Sequence, residues 1–159
     1  MLYYCVLAHS FAVGHAVNYT LTLTLPMPPG VNNQYVSLGA RRVLSQEARR
    51  YKSTVTRLLK RARDSGAISD DLCAAAQVGY LALFIDFYFE TPLRRDLDGG
   101  LKIAQDTICA ALGVNDNRVV DIHLVKRIDP GNPRIEVELE VLDEWQFERE
   151  REVLVKAKG

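Results

Sequence analysis

Residues 80–89 have the sequence YLALFIDFYF, a nearly unbroken apolar stretch with many aromatic side chains. Such a stretch is too short and too rich in β-forming residues for a typical helix, and its apolar side chains do not alternate with polar ones. It therefore predicts a central β-strand that is covered on both faces of a sheet.

Three further segments complete the predicted sheet. Residues 19–25 (YTLTLTL) and 134–141 (RIEVELEV) alternate apolar and polar side chains, which predicts strands with one buried face. Residues 119–126 predict another strand. The sequence DPGNP at residues 129–133 predicts a tight reversal between the last two strands.

Two helices are predicted between these strands. Ser45 is a suitable N-cap for a helix over residues 46–64, and Gly66 is a suitable stop. A second helix is predicted over about residues 98–112. The inward-facing positions are Ala48, Tyr51, Val55, Leu58, Leu59 and Ala62 in the first helix, and Leu101, Ala104, Ile108, Ala111 and Leu112 in the second. The order β-α-β-α-β-β predicts an α+β fold with a mixed sheet and two main helices.

The length of 159 residues and the hydrophobic content of 48% fit one compact domain. We expect this domain to cover residues 17–143, with an N-terminal extension at 1–16 and a charged C-terminal tail at 144–159. The apolar segment within the extension is too short for a membrane span and lacks the basic start of a signal peptide. The three cysteines are far apart and form no C-x-x-C pair. Together these features predict a cytoplasmic protein with no membrane association and no disulfide framework.

The formal net charge is zero, but charge is segregated along the chain. Residues 1–40 contain no charged side chain, whereas residues 41–63 contain nine lysines and arginines against Glu47 alone. An amphipathic helix with a solvated basic face is the simpler interpretation. Contact with nucleic acid is the functional alternative, because a basic segment attracts phosphates.

The densest group of residues suited to chemistry is RRDLDGGLK at residues 94–102, followed by Asp116 and Asp121. Carboxylates at a strand–loop–helix transition are hard oxygen ligands that suit magnesium, which activates water and stabilises charge on a phosphodiester. Alternatively, Asp98 only caps the helix and pairs with Lys102 one turn later. An EF-hand loop is excluded because Leu101 stands where such a loop needs glycine. Spacing alone leaves capping and a metal site equally open.

Three segments resemble the RusA family of Holliday-junction resolvases in order and spacing over residues 19–141. PPGVNNQY at residues 28–35 resembles the family's P-P-S-x-N-x-x-Y opening. RDLDGGLK at 95–102 resembles its R-D-x-D-N-x-x-K segment, and NDNRVVD at 115–121 its D-D-x-x-V-x-D stretch. The resemblance implies a RusA-like fold and a homodimeric crossover junction endodeoxyribonuclease. Such an enzyme uses magnesium, with manganese as a possible substitute, to make paired nicks in four-way DNA junctions during recombination and repair.

By position, the resemblance implies that Asp96, Asp98 and Asp116 bind the metal and that Lys102 is the catalytic lysine. It also makes the basic segment a candidate phosphate-binding surface. For Asn32 and Tyr35, turn chemistry and packing are alternatives to a DNA contact. The predicted DNA-binding residues are Asn32, Tyr35, Arg49, Arg50, Lys52, Arg57, Lys60, Arg61, Arg94 and Arg95.

Two residues depart from the family pattern. Gly99 stands where the family has asparagine, and Asn115 stands where an acid is common. These departures leave a catalytically decayed, junction-binding relative as the first alternative, and a metal-dependent phosphatase is the second.

The predicted second helix also poses a geometric problem. A helix of about 15 residues is about 22 Å long, which would place Asp98 and Asp116 too far apart to share a metal. Either the helix ends early and the chain doubles back, or the partner protomer supplies Asp116 to a composite site.

Overall fold

The computed structural model describes residues 6–13, 16–142 and 144–147. These residues form seven strands, three α-helices and two short 3-10 helices, Val31–Asn33 and Asp116–Arg118. In chain order the strands and α-helices are β1 (Val6–Val13), β2 (Ala16–Pro26), β3 (Tyr35–Leu38), β4 (Arg41–Leu44), α1 (Gln46–Asp64), α2 (Asp70–Val78), β5 (Tyr80–Phe89), α3 (Leu101–Leu112), β6 (Val119–Ile128) and β7 (Arg134–Leu142).

The main sheet is mixed and has the strand order β1-β2-β7-β5-β6. Strands β5 and β6 are parallel, whereas β7 is antiparallel to both of its neighbours, β2 and β5. The predicted α+β fold with a mixed sheet is confirmed. Residues 129–133 reverse the chain as predicted, but β6 and β7 lie on opposite sides of β5 and do not pair with each other.

Within the part of the chain that the structure describes, the helices cover one face of this sheet. Leu83, Ile85 and Phe87 on β5 are buried in the helix-side core, whereas Phe84 and Tyr88 on the opposite face are half-buried. The prediction that β5 is covered on both faces is therefore wrong. Aromatic residues occupy the open face because they stack on side chains of adjacent strands: Phe84 lies 4.8 Å from the His123 ring, and the guanidinium of Arg134 lies 3.8 Å from the Tyr88 ring.

Helix α1 agrees with its prediction in both bounds. The Ser45 hydroxyl accepts a hydrogen bond from the Ala48 amide at 3.0 Å, and Gly66 takes a left-handed conformation (φ +76°) just beyond the helix end. The predicted stripe is buried except for Leu58, which is half-buried. The basic side chains of α1 therefore face away from the core.

Helix α3 begins three residues later than predicted, at Leu101. Gly99 and Gly100 form a turn instead of a first helical turn, because a Cβ on Gly100 would lie 2.5 Å from Cγ of Pro28. Asp98 thus precedes the helix, and the expectation that it shares a helical face with Lys102 is wrong. The buried face is also rotated: Ile103 and Thr107 are buried, whereas the predicted inward residues Leu101 and Ala111 are only half-buried.

Four elements lie outside the predicted order β-α-β-α-β-β: α2, β1, β3 and β4. Helix α2 is capped by the Ser69 hydroxyl, which accepts a hydrogen bond from the Leu72 amide at 3.1 Å. Strands β3 and β4 form a separate two-stranded hairpin outside the main sheet. Strand β1, within the predicted N-terminal extension, pairs with β2 at the sheet edge.

In the segment after β7, Phe147 packs edge-on against Tyr80, with 5.6 Å between the ring centroids. The predicted tail beyond residue 147 lies outside the described residues, as does Cys5. Cys73 and Cys109 are buried free thiols, as expected. Among the described helices, none has the length and hydropathy that crossing a membrane requires.

Candidate active site

The loop between β5 and α3, residues 90–100, carries Asp96 and Asp98 and is fixed by the segment at residues 28–35. Gln34 is only 4% exposed, and its side-chain amide donates hydrogen bonds to the carbonyls of Pro29 (3.0 Å) and Gly99 (3.1 Å). Gly100 packs directly on the Pro28 ring, where there is no room for a side chain. Two of the three segments noted in the sequence therefore form one structural unit.

Two cations, Arg95 and Lys126, make further hydrogen bonds that hold the same loop. The Arg95 guanidinium donates a hydrogen bond to the Pro28 carbonyl at 2.6 Å. The Lys126 ammonium, from β6, donates to the carbonyls of Pro92 (3.0 Å) and Arg95 (2.8 Å). Both cations also lie near the ring of Phe89, at 5.7 Å and 5.3 Å from its centroid. These contacts fix the backbone on which the two aspartates stand.

Asp96 and Asp98 themselves have no structural partner. Both are exposed, and in the described part of the chain neither side chain makes a hydrogen bond or an ion pair. The N-cap of α3 is Gly100, with no side-chain capping bond, and Lys102 pairs with other carboxylates. The interpretation that Asp98 is a helix cap paired with Lys102 is therefore wrong.

Lys102 lies between two carboxylates. Its ammonium donates hydrogen bonds to Asp106 at 2.6 Å and to Asp116 at 2.8 Å. Gly113 takes a left-handed conformation (φ +71°), and the chain then runs back along α3, where the Gln105 side chain donates to the Asp116 carbonyl at 3.3 Å. The chain thus doubles back, and a single chain brings Asp116 to the first half of α3.

The electrostatics of this group follow from the hydrogen bonds. Those to Asp106 and Asp116 raise the pKa of Lys102, and the bond from Lys102 is the main cause that lowers the pKa of Asp116. Lys102 is therefore a cation, and Asp116 an anion, throughout the neutral pH range. With Asp106, they line an open cleft of about 340 Å³ that a phosphate group can enter.

The carboxylates of this region have donor atoms that suit a divalent metal ion. Asp96, Asp98, Asp106 and Asp116 offer hard carboxylate oxygens, the donor type that magnesium prefers. In the part of the chain that the structure describes, no three His, Cys, Asp or Glu side chains converge as a preformed metal site. The carboxylate oxygens of these residues fit a magnesium-type ion.

The remaining predicted DNA-binding residues lie mostly on the surface of α1 and near its start. Arg49, Arg50, Arg57, Lys60 and Arg61 are exposed and Lys52 is half-buried, and none of these six forms an ion pair within the described residues. Asn32 is exposed in the first 3-10 helix.

The other three predicted DNA contacts, Tyr35, Arg94 and Arg95, differ in their exposure and in the groups they contact. Tyr35 is 43% exposed in β3 and packs against Arg42. Arg94 is exposed and pairs with Glu90 at 3.7 Å. Arg95 is instead turned inward, where its guanidinium donates to the Pro28 carbonyl.

Sequence reasoning missed three residues of the site. Asp106 follows Lys102 by four positions, so its pairing could have been read from helical spacing. Gln34 lies inside a segment that was noted, but the burial of its amide has no sequence signal. Lys126 reaches the loop from another strand, which only the topology determines. Asp121 lies apart from this group, on the open sheet face, 3.2 Å from His123.

Comparisons with known proteins identify the family of this chain. A family model described as endodeoxyribonuclease RusA matches residues 26–140. The crossover junction endodeoxyribonuclease RusA of Shigella sonnei (strain Ss046) is 33% identical over 108 residues, which cover 67% of this chain and 82% of that protein. The protein of the same name from Escherichia coli (strain K12) is 32% identical over the same shares. The matched residues include those that hold the loop (Gln34, Arg95 and Lys126), both unpaired aspartates and the Lys102–Asp116 pair. The chain belongs to the RusA family of endodeoxyribonucleases.

Proposed function

We propose that this chain is a structure-specific endodeoxyribonuclease that resolves four-way DNA junctions in recombination and repair, in the cytoplasm. The observation that carries the proposal is the position of Asp96 and Asp98. A loop held by Gln34, Arg95 and Lys126 presents two carboxylates that neither capping nor ion pairing explains. The names of the relatives supply the substrate class, a crossover junction in DNA.

Three carboxylates would hold the metal: Asp96, Asp98 and Asp116. Magnesium is the proposed ion, with manganese as a substitute, and when bound it would supply an activated water and neutralise charge on the phosphodiester. Lys102 would donate a hydrogen bond to a phosphate oxygen and so stabilise the negative charge that develops during cleavage. Asp106 keeps the Lys102 side chain at the cleft.

The basic surface of α1 is the proposed phosphate contact. Phosphate contacts carry no base information, so they favour recognition of branch shape over sequence. We further propose a homodimer, because a four-way junction has two-fold symmetry and two opposed strands must be cut. One active site would then act on each strand.

Cleavage of a synthetic four-way junction by wild type and Asp98→Asn, with and without magnesium, tests this function. Asp71→Asn is the matched control, because Asp71 is exposed at the start of α2. We expect wild type and the control to nick the junction in magnesium only. Asp98→Asn should cut at least about a hundred-fold more slowly, because metal binding is worth several kcal/mol in the transition state.

The alternatives give different results in the same assay. Tight junction binding with no nicking at any magnesium concentration would indicate a catalytically decayed relative. Turnover of a small phosphate ester, without sensitivity to Asp116→Asn, would indicate a phosphatase.

A further inference from the structure

The β3–β4 hairpin projects from the body of the protein. Among the described residues, its strands pair only with each other, and residues 35–42 are all exposed. Leu38, at the tip, is 72% exposed, and Val36 is 51% exposed. A two-stranded hairpin is marginally stable by itself, so these apolar side chains at its end are not explained by packing within the chain.

The root of the hairpin, formed by Gln34 and Ser45, is rigid. The Ser45 amide donates to the Gln34 carbonyl at 2.9 Å, and the Ser45 hydroxyl donates to the Asn33 carbonyl at 2.6 Å. The same hydroxyl caps α1, and the Gln34 side chain holds the carbonyl of Gly99, the residue after Asp98. The root therefore links the hairpin both to the loop that carries Asp96 and Asp98 (residues 90–100, the aspartate loop) and to helix α1.

Charge identifies the kind of partner that fits this hairpin. At the tip, Leu38 is the register partner of Arg41, and on the other face Arg42 lies over the Tyr35 ring at 5.2 Å. The first acidic side chain of the sequence is Glu47, beyond the hairpin. An exposed apolar tip flanked by arginines matches side chains that insert between base pairs while neighbouring cations hold the phosphates.

We propose that the β3–β4 hairpin is a wedge that inserts Leu38 at the branch point of a four-way junction, where base stacking is interrupted. Arg41 and Arg42 contact the flanking phosphates. A strand of this length extends about 14 Å from the root. The root is joined to the loop of Asp96 and Asp98 through the hydrogen bond from Gln34 to the Gly99 carbonyl. This inference rests on the proposed function for its substrate, but not on catalysis.

The test uses four-way junctions with 2-aminopurine either at the branch point or within an arm, bound by protein in EDTA so that no strand is cut. Leu38→Ser is compared with wild type and with Val78→Ser, whose side chain is 77% exposed on α2. Wild type and the control should raise fluorescence at the branch point only. At saturating protein, Leu38→Ser should lose about half of this rise or more.

Salt dependence tests the two arginines. The double substitution Arg41→Gln and Arg42→Gln should weaken junction binding and reduce the slope of log affinity against log salt by about two, since each phosphate contact contributes about one. An unchanged slope would contradict the assigned phosphate contacts.

The outcomes separate this inference from the proposed function. A full branch-point signal from Leu38→Ser overturns the wedge, whether or not wild type cuts in magnesium. If Leu38→Ser instead converts a dimer to monomers in light scattering and leaves the signal intact, the hairpin is an interface between copies and the wedge is wrong. A branch-point signal that depends on Leu38, without nicking in magnesium, supports the wedge and overturns the nuclease. Failure of wild type to bind junctions overturns both.

Discussion

At the scale of single residues, Gly99 and Gly100 in the aspartate loop differ in the space that each has for a side chain. A Cβ on Gly99 would meet only the Asp96 carbonyl oxygen, at 3.5 Å, and backbone atoms of residues 30 and 31 at 4.0 Å, so a side chain fits there. The departure from the family's asparagine therefore does not arise from lack of space. Gly100 has no such room, because the Pro28 ring and Phe87 lie against it.

This contrast predicts opposite results for a matched pair of variants. Gly99→Ala should keep wild-type stability and cleavage. Gly100→Ala should lower the free energy of unfolding by about 1–3 kcal/mol, because the new methyl group clashes with a ring that cannot move aside, and should slow cleavage by displacing the loop. Urea denaturation and junction cleavage measure both effects. Equal behaviour of the two variants would contradict the proposed packing.

Asp106 gives a second prediction at this scale. Asp106→Asn removes one of the two carboxylates that hold Lys102, so the ammonium is less well positioned at the cleft. We expect junction cleavage to fall about ten-fold, in the range typical of residues that orient a catalytic group, with junction affinity unchanged. Asp64→Asn, at the exposed end of α1, is the control. Wild-type cleavage by Asp106→Asn would show that Asp116 alone positions Lys102.

At the scale of elements, the accuracy of the sequence prediction followed the strength of local signals. Helix α1 has a capping serine, a long apolar stripe and a glycine stop, and its bounds were predicted correctly. Helix α2 is only nine residues long, so its apolar positions are too few to show a period. The start of α3 was misplaced because contact between Gly100 and Pro28, which no local pattern reveals, keeps the glycines out of the helix.

Gln34 couples these elements and gives a prediction about them. Gln34→Leu conserves volume but leaves the Pro29 and Gly99 carbonyls without their donor. We expect a loss of about 1–3 kcal/mol in the free energy of unfolding and slower cleavage, since the aspartate loop loses its anchor. Gln46→Ala, at an exposed position, is the control in urea denaturation and cleavage assays. A loss no larger than that of Gln46→Ala would mean that water replaces both hydrogen bonds.

At the scale of the whole molecule, the zero net charge conceals two oppositely charged sides. A cluster of basic residues without ion pairs among the described residues lies on α1, whereas Glu136, Glu138 and Glu140 of β7 lie on the open face of the sheet. The arginines of that face, Arg127 and Arg134, are each paired with carboxylates. DNA should therefore approach the helix side, where Lys102 also lies. The sequence showed that charge is segregated, but only the sheet order shows that the two groups are on different sides.

On the open face of the sheet, the ionised side chain of Glu140 destabilises the fold at neutral pH, and its replacement is therefore expected to be stabilising. Burial, and then the neighbouring carboxylate of Glu138, raise the pKa of Glu140 above its ordinary value of 4.5. Ionisation of Glu140 thus costs folding free energy at pH 7, and this cost disappears as the pH falls below 4.5, where the side chain is protonated in both states. Glu140→Gln should raise the melting temperature at pH 7 and leave it unchanged at about pH 4. An equal rise in melting temperature at both pH values would show that the effect does not come from ionisation of Glu140. Glu144→Gln, in the exposed segment after β7, is the control.

For the site, the family resemblance predicts the roles of Asp96, Asp98, Lys102 and Asp116, but no sequence pattern predicts how the loop that carries the first two is held. That loop is held through Pro28, Gln34 and Lys126, which are distant in sequence and meet only through the topology. The return of Asp116 to α3 depends on the conformation of Gly113 and the residues after it. Local patterns therefore identified the chemical groups, and long-range packing determines their geometry.

A crystal of the protein with manganese and an uncleavable four-way junction tests the proposed metal centre most directly. Anomalous scattering should locate an ion bound by oxygens of Asp96, Asp98 and Asp116 from one chain, at about the 2.0–2.3 Å expected for a small divalent ion. An ion bound away from these carboxylates, with Asp96 and Asp98 still free beside the DNA, would contradict it.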